Sequence, residues 1–416
     1  MKTRATALAV CMVLLLCMNS CTQSDLPEPS SGHYRVRLYD DTLPDPRSHS
    51  IHIAAGDGRL LMTYGHTFEQ MVMLAGNLTL PPPSVNVYML TDNEGNLLRK
   101  EMLPTGLTVA DVVTLPDNSF LLVLNTGVPE LWGGPEWSLH FMRIDPNGAM
   151  GPEASLNAPT NHPQPYQQIR NIRLCPLPNG HALLYYYYTG ADNGSAQFVG
   201  EMDTEGSFLW HKEFESLTID DLAISRDGGY MVSAGIWNPV LQTSEKFIMK
   251  MNSSFDSSWS SSIVPAQGAV GNFLIASKSN GNFWLTYAAS HDGKSWYHVL
   301  DMNAEGEIVD SSSYPLMINL QQYNMTSVIS QHGASGLFIS HSLIMGSFNE
   351  SVSNRFNTMY VTLDANLNII NKSVFQDQTS DMLNSGCRTS DGRIACFGLT
   401  QGYHRWYYKP ELIIIN

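Results

Sequence analysis

From residue 33 onward, apolar and polar positions alternate over short stretches that end in Gly, Asn or Asp. A period of two marks half-buried strands, and the polar stops mark turns. Two turn signals alternate along the chain. In the first, an apolar strand ends in Asp or Asn with Gly three residues on, as in Tyr88-Met89-Leu90-Thr91-Asp92-Asn93-Glu94-Gly95. It returns at Asp145 with Gly148, Asp203 with Gly206 and Asn303 with Gly306, and in looser form at Asn252 and Asp364. Asn416 closes a matching strand, Leu412-Ile413-Ile414-Ile415.

The second signal is a hairpin dipeptide: Asp57-Gly58, Asp117-Asn118, Asn179-Gly180, Asp227-Gly228, Asn280-Gly281, a degenerate Gly333-Ala334, and Asp391-Gly392. Such dipeptides suit two-residue hairpins, in which both central residues need positive φ. A short apolar strand follows each, for example His181-Ala182-Leu183-Leu184. Each signal occurs seven times, roughly 50 to 60 residues apart, the range expected of propeller blades.

Arg226-Asp227-Gly228-Gly229-Tyr230, followed by Phe247-Ile248-Met249-Lys250-Met251-Asn252 and then Trp259, resembles the "DGGY" repeat of secreted and lipid-anchored bacterial β-propellers. The resemblance covers about residues 33 to 416 and implies architecture without an activity. The expected fold is all-β: a seven-bladed β-propeller of four-stranded antiparallel blades. Its last blade, 379–416, supplies only three strands, whereas 33–40 (HYRVRLYD) is a strand without a blade. Placing this N-terminal strand in the C-terminal blade closes the ring and removes an open sheet edge. A linear solenoid would leave both ends unpaired.

The N-terminus has a different character. Lys2 and Arg4 precede an apolar stretch from Ala5 to Cys17, the layout of a secretory signal peptide. The stretch is too short to remain as a membrane span. Ser20-Cys21 resembles a bacterial lipobox, although Met18 and Asn19 replace its usual Leu and small residue. That resemblance implies a signal peptide over 1–20, a lipidated Cys21 and a Ser/Pro-rich tether over 21–32. With no Asp after Cys21, it also implies the outer membrane, with the side left open. No other membrane contact is expected.

Composition narrows the partners. The 416 residues are 43% hydrophobic and only 15% charged, ample for a core and too poor in charge for a coiled coil. The formal charge is −15, and loss of Lys2 and Arg4 leaves 21 basic against 38 acidic residues, or −17. An acidic surface repels phosphate backbones, so no nucleic-acid partner is expected.

In a four-stranded blade both tight turns fall on one face, and the longer connections fall on the other. The longer ones (66–84, 127–136, 157–167, 237–244, 315–322 and 346–355) vary in length, as functional loops do on a rigid scaffold. Neutral insertion would look the same. They bring forward Trp132, Trp137, Tyr166, Trp237, Trp296, His404 and Trp406 as ligand-binding candidates. Core packing between blades is the competing explanation for aromatics, and the run Tyr185 to Tyr188 reads as core.

No zinc spacing, nucleophile elbow, phosphate loop or calcium loop appears, so no metal or cofactor is expected. Asp220-Asp221 lies on an inner strand, where alternation sends the two to opposite faces; one is expected to be a turn or cap residue. Ser290-His291-Asp292-Gly293-Lys294-Ser295-Trp296 resembles the Asp box of sialidase-type propellers, with Gly and Trp each one residue early. Arg143, Arg170, Arg173, Arg388 and Arg393 show no spacing that singles out a sialidase-like trio. Counting outward from a two-residue Asp391-Gly392 turn sets Cys387 opposite Cys396, close enough for a disulfide or for two packed thiols. Cys175 reads as a buried small hydrophobe.

These readings favour a non-catalytic, lipid-anchored envelope protein that binds a protein or glycan on its long-loop face. A carbohydrate-active enzyme with channel carboxylates as acid and base is the alternative, and a structural part of an envelope complex is a third.

Overall fold

The computed structural model describes residues 34–39 and 51–415, except 67–72, 75–76, 79–84, 105, 127–136, 163–165, 167, 191–193, 239–242, 263–268, 292–293, 316–326, 332–335, 346–354, 365, 376–379 and 402–407. Among the described residues there is strand and turn but no helix. Residues 1–32, where a signal peptide, a lipidated Cys21 and a tether are expected, lie outside them, as do Trp132, His404, Trp406 and most of the long connections.

Four-stranded antiparallel blades in a propeller arrangement make up the fold, and the described residues contain seven such sheets. Blade 1 comprises His52–Gly56, Arg59–His66, Val85–Asp92 and Leu97–Met102. Blade 2 comprises Thr108–Thr114, Phe120–Asn125, Leu139–Ile144 and a fourth strand of two residues, Ala154–Ser155. Blade 3 runs through Gln168–Pro176, Ala182–Thr189, Ser195–Met202 and Phe208–Phe214. Blade 4 follows with Leu217–Ile224, Tyr230–Asn238, Thr243–Met251 and Ser257–Ser262. Blade 5 holds Ala269–Ser277, Phe283–His291, Lys294–Met302 and Ile308–Pro315. Blade 6 holds Ser327–Gln331, Gly336–Met345, Arg355–Asp364 and Ile369–Phe375. Blade 7 takes Ser380–Arg388, Ile394–Gln401 and Tyr408–Ile415 from the C-terminus and Tyr34–Leu38 from the N-terminus, in register from Tyr34 opposite Ile415 to Leu38 opposite Glu411.

First strands pack against first strands from blade to blade, and blade 7 abuts blade 1. Blade 3 meets the first strand of blade 4 through its second and third strands. Both faces of a blade are therefore buried, and the core is a series of layers between sheets rather than one centre. Leu60, Met62, Phe397 and Ile414 fill the layer between blades 7 and 1; Leu61, Tyr88, Leu122 and Ile144 fill the next. Tyr186, Tyr188 and Phe198 pack between blades 2 and 3, and Tyr185 packs toward blade 4, so that run is core on both faces.

The hairpins differ from the two-residue expectation in one respect that matters. At Leu177, Ser225, Lys278 and Thr389 the chain closes a three-residue loop: a tight turn, then a single glycine with positive φ (Gly180, Gly228, Gly281, Gly392). Leu115 does the same with Asn118 at φ 65°. Among the described hairpins between first and second strands, only Asp57-Gly58 is a two-residue loop. One extra residue shifts the strand register by one and exchanges its faces. In blade 7 Cys396 consequently pairs with Gly386, and Cys387 pairs with Ala395. The two cysteines lie on opposite faces of the sheet, and Cys175, Cys387 and Cys396 are all free thiols.

The D-x-x-G turns share one construction. The Asp or Asn side-chain oxygen accepts two backbone N–H groups, two and four residues on, at Asp92, Asp145, Asp203, Asn252, Asn303 and Asp364. The left-handed residue of the turn is then covered by the preceding blade: Trp259 lies over Gly306, Phe141 over Gly206, and Arg99 over Gly148. Where Phe255 takes this position, at φ 60°, its ring fills the gap itself against Trp210 (6.0 Å) and Tyr230 (5.4 Å).

Candidate functional site

Four residues before the residue that closes each hairpin stand His52, Asp111, Arg173, Asp221, Leu274 and Ser385, in blades 1, 2, 3, 4, 5 and 7. In all but blade 1 the pairing of the first strand slips just ahead of this position: between Val109 and Asp111, Arg170 and Arg173, Ile219 and Asp221, Val270 and Leu274, and Leu383 and Ser385. A bulge re-aims the side chain that follows it. Here it turns one layer of side chains toward the next blade.

Three of them fasten that blade. Asp111 Oδ2 accepts the N–H of Leu174 at 2.8 Å, Asp221 Oδ2 that of Ile275 at 2.9 Å, and Ser385 Oγ that of Ile53 at 3.1 Å. Each carboxylate also takes its own strand's next N–H, from Val112 (2.8 Å) and Leu222 (2.9 Å). His52 and Arg173 complete the layer: His52 Nδ1 stands 3.5 Å from Asp111 Oδ1, and Arg173 lies between the fields of Asp111 and Asp221. The result is an arc over four blades in which His52, Asp111, Arg173 and Asp221 follow in order.

The two carboxyls titrate apart. Burial pushes Asp221 up to about 6, against the opposing pull of the Ile275 amide and Arg173. Burial also raises Asp111, but His52, Arg173 and the Leu174 amide outweigh it and hold this carboxyl below its ordinary value. Asp220, skipped by the bulge, pairs with Lys246, whose ammonium sits 5.7 Å from the Phe273 ring; burial raises this carboxyl despite the Lys. The expectation that one of Asp220 and Asp221 is a turn or cap residue fails: both lie within the strand, and the bulge lets both reach the backbone of blade 5 rather than opposite faces.

Blade 3 carries the part of the arc open to solvent. Arg170 pairs with Tyr187 and Arg173 with Tyr185, with Asn171 and Ile172 skipped and Asn171 at φ 53°. Without the bulge, residues three apart on a strand would face opposite sides. With it, both arginines share the face of Tyr185 and Tyr187, toward blade 4. Arg170, Asn171 and Arg173 are exposed, whereas the described first-strand residues at the matching heights of blades 1, 2 and 4 are not. Among the described residues, no carboxylate lies within ion-pair distance of either guanidinium. Arg143 and Arg393, by contrast, are held at the tight-turn face by Asp117 and by Asp391 with Glu94.

The aromatics singled out from sequence that lie among the described residues fall in strands or in the core rather than in one loop patch. Tyr166 is fully buried, bonded through its hydroxyl to Tyr186 (3.2 Å) and Thr160 (3.1 Å), because its backbone pairs with Trp137 at the foot of the connection. Trp137 is half-buried against the same core. Trp296 is half-buried within a strand, opposite Ala289, and Trp237 belongs to a strand opposite Ser244. The Asp-box-like segment is the end of a paired hairpin, with Ser290 opposite Ser295 and His291 opposite Lys294. The arc itself escaped notice, although a signal was present: its members sit seven residues before the left-handed turn residue, or six in blade 1.

An open groove of about 630 Å³ lies on the tight-turn face between blades 2 and 3, lined by Phe141, Arg143, Asp145, Met150 and Glu205. Its arginine is already paired. Among the described residues no cluster of His, Cys, Asp and Glu could hold a metal ion, and no helix is long and apolar enough to cross a membrane.

No protein-family model matches the sequence, and no curated protein does. Solved structures are similar in fold. The polysaccharide lyase Uly1 superposes with a TM-score of 0.56 over 95% of this chain and 94% of its own, at 11% identity. A protein of unknown function from Bacteroides caccae (TM-score 0.41, 14% identity, 74% of this chain and 98% of its own) and the Hadza microbial sialidase Hz136 (0.47, 9%, 80% and 73%) are more distant. At such identities the likeness to the lyase is one of fold alone.

Proposed function

We propose that the seven sheets are the blades of one closed ring, held to the outer membrane through Cys21, and that the ring binds a glycan or protein ligand. The ligand presents an acidic group to Arg170 and Arg173 at the long-connection end of the channel. The supporting observation is the bulge that sets two exposed arginines, neither within ion-pair distance of a carboxylate among the described residues, on one face of the first strand of blade 3. Guanidinium forks suit carboxylate and sulfate, and they bind best where neighbouring walls exclude water. Arg170, nearer the start of its strand, stands toward the long connections; Arg173 lies deeper, near Asp111 and Asp221. Those two carboxylates are occupied by backbone amides, which supports binding over acid–base work.

Calorimetric titration with carboxylated and neutral oligosaccharides of equal length tests this reading. Binding is expected only for the acidic ligand, to weaken with salt, and to fall at least about tenfold in Arg170→Ala with Arg173→Ala. Equal binding of both ligands, or full binding by the double variant, would refute it. Cys21→Ser is expected to move the protein from the membrane fraction to the soluble one.

A carbohydrate-active enzyme remains the second reading, favoured by the opposite displacements of Asp221 and Asp111. Turnover of an acidic polysaccharide that disappears in Asp221→Asn would establish it over the first.

A further inference from the structure

Blade 2 carries a second chemical cluster, outside the channel arc. Ser138 immediately precedes the third strand, His140 lies within it, and Glu153 immediately precedes the short fourth strand. Ser138 Oγ is 3.0 Å from His140 Nε2, and Glu153 Oε1 is 2.7 Å from His140 Nδ1. Behind the serine, Thr126 Oγ1 is 3.0 Å from Ser138 Oγ and accepts the Ser138 N–H at 2.9 Å. Strand alternation puts Ser138 and His140 on one face, and the two-residue fourth strand stops where Glu153 turns in beside them. These distances accommodate the order that catalysis needs, in which Thr126 donates to Ser138, Ser138 donates to Nε2, and Nδ1–H faces the carboxylate. The 2.7 Å approach is close but not aligned as a hydrogen bond; such contacts in ligand-free sites tighten on binding.

We propose that Ser138, His140 and Glu153 form a nucleophilic serine site that hydrolyses esters of short acyl groups. A hydroxyl within reach of an imidazole that a third group orients is the arrangement acyl transfer requires. Ser138 Oγ bonds to the ester carbonyl carbon as its proton passes to His140 Nε2. The C–O bond to the alcohol then breaks, and His140 returns the proton to the departing oxygen. A water next gives its proton to His140 and attacks the acyl carbon; the Ser138 ester bond breaks, the serine regains a proton and the carboxylic acid leaves. The net change is ester plus water to acid plus alcohol. Glu153 takes no part in the proton transfers; it holds the imidazole and faces the charge that develops on it. Short acyl groups are specified because Ser138 is half-buried and the His140 side chain is only 14% exposed, leaving little room beside the nucleophile. This site is independent of the arginine pair.

The test treats the intact protein with a fluorophosphonate probe and compares hydrolysis of p-nitrophenyl acetate with that of p-nitrophenyl octanoate. A single adduct on Ser138 is expected, with acetate the faster substrate. Ser138→Ala should abolish the adduct and lower acetate turnover at least about 100-fold while melting as the parent does. Glu153→Gln should lower the turnover rate constant more than it raises KM and move the acidic limb of the pH–rate profile. An unlabelled Ser138 under conditions that label a known serine hydrolase, or unchanged turnover in Ser138→Ala, overturns the proposal. A His140→Ala variant that only melts earlier, from a parent without hydrolysis, does so too.

Discussion

Replacing Asp221 by Asn isolates the electrostatic strain in the layer of first-strand side chains. The wild-type carboxyl has its folded value near 6 against an ordinary 3.8. A carboxyl raised on folding is held more tightly as the acid, so its ionised form opposes folding. Stability therefore grows as pH falls through about 6, and the gain is complete below 3.8. Integrating between those values gives a penalty of about 3 kcal/mol at pH 7.5 and about 1 kcal/mol at pH 4.5, a swing of about 2 kcal/mol. Asparagine does not titrate, but it offers one acceptor oxygen where the carboxylate uses two for Leu222 and Ile275. Losing one of these bonds costs about 1–3 kcal/mol at either pH. The variant is thus expected to be the less stable at pH 4.5 and to recover about 2 kcal/mol relative to the parent at pH 7.5. Urea unfolding of both proteins at both pH values measures this difference, with contributions common to the two proteins cancelling. A variant whose stability relative to the parent stays constant within about 0.5 kcal/mol, or falls toward pH 7.5, would refute the burial of Asp221 as described.

Other expectations follow from the turns, the layer and the thiols. Gly306→Ala places a Cβ inside the Trp259 ring at a φ of +82° and should lower stability by about 2–4 kcal/mol, seen as a drop in melting temperature with altered tryptophan emission. Asn252→Ala removes the acceptor of two backbone N–H groups and should cost about 1–2 kcal/mol, measured by urea unfolding. Cys387, pushed up to about 12 by burial, and Cys396, raised further by the same cause, should not react with a thiol reagent until the protein unfolds. A reductant should leave the melting temperature unchanged, and a mass of two fewer hydrogens for the peptide 380–401 would contradict the register described here.

Much of the architecture was legible because its signals are local. A D-x-x-G turn is specified within a few residues by one side-chain oxygen that accepts two nearby amides, as at Asp92 and Asp203, so it can be read from any copy alone. The lone N-terminal strand announced itself by having no partner nearby, and it pairs with Tyr408–Ile415. The site was much less legible. Trp296, Tyr166 and Trp237 looked like loop aromatics because the sequence marks turns more sharply than the extent of the strands between them. The pairing of Cys387 with Cys396 failed on one residue of loop length, which exchanged the faces of the strand.

Taken alone, the sequence determined the all-β class, the repeat and the D-x-x-G turn chemistry, since these depend on period and on groups a few residues apart. Tertiary structure alone decided which side chains meet. A bulge with one surplus residue reverses the face of everything beyond it, and the contacts it aims run between strands more than fifty residues distant, from Asp111 to Leu174 or from Asp221 to Ile275. Arg170 and Arg173 became one surface, and His52, Asp111, Arg173 and Asp221 one arc, only when neighbouring blades set the registers of their strands.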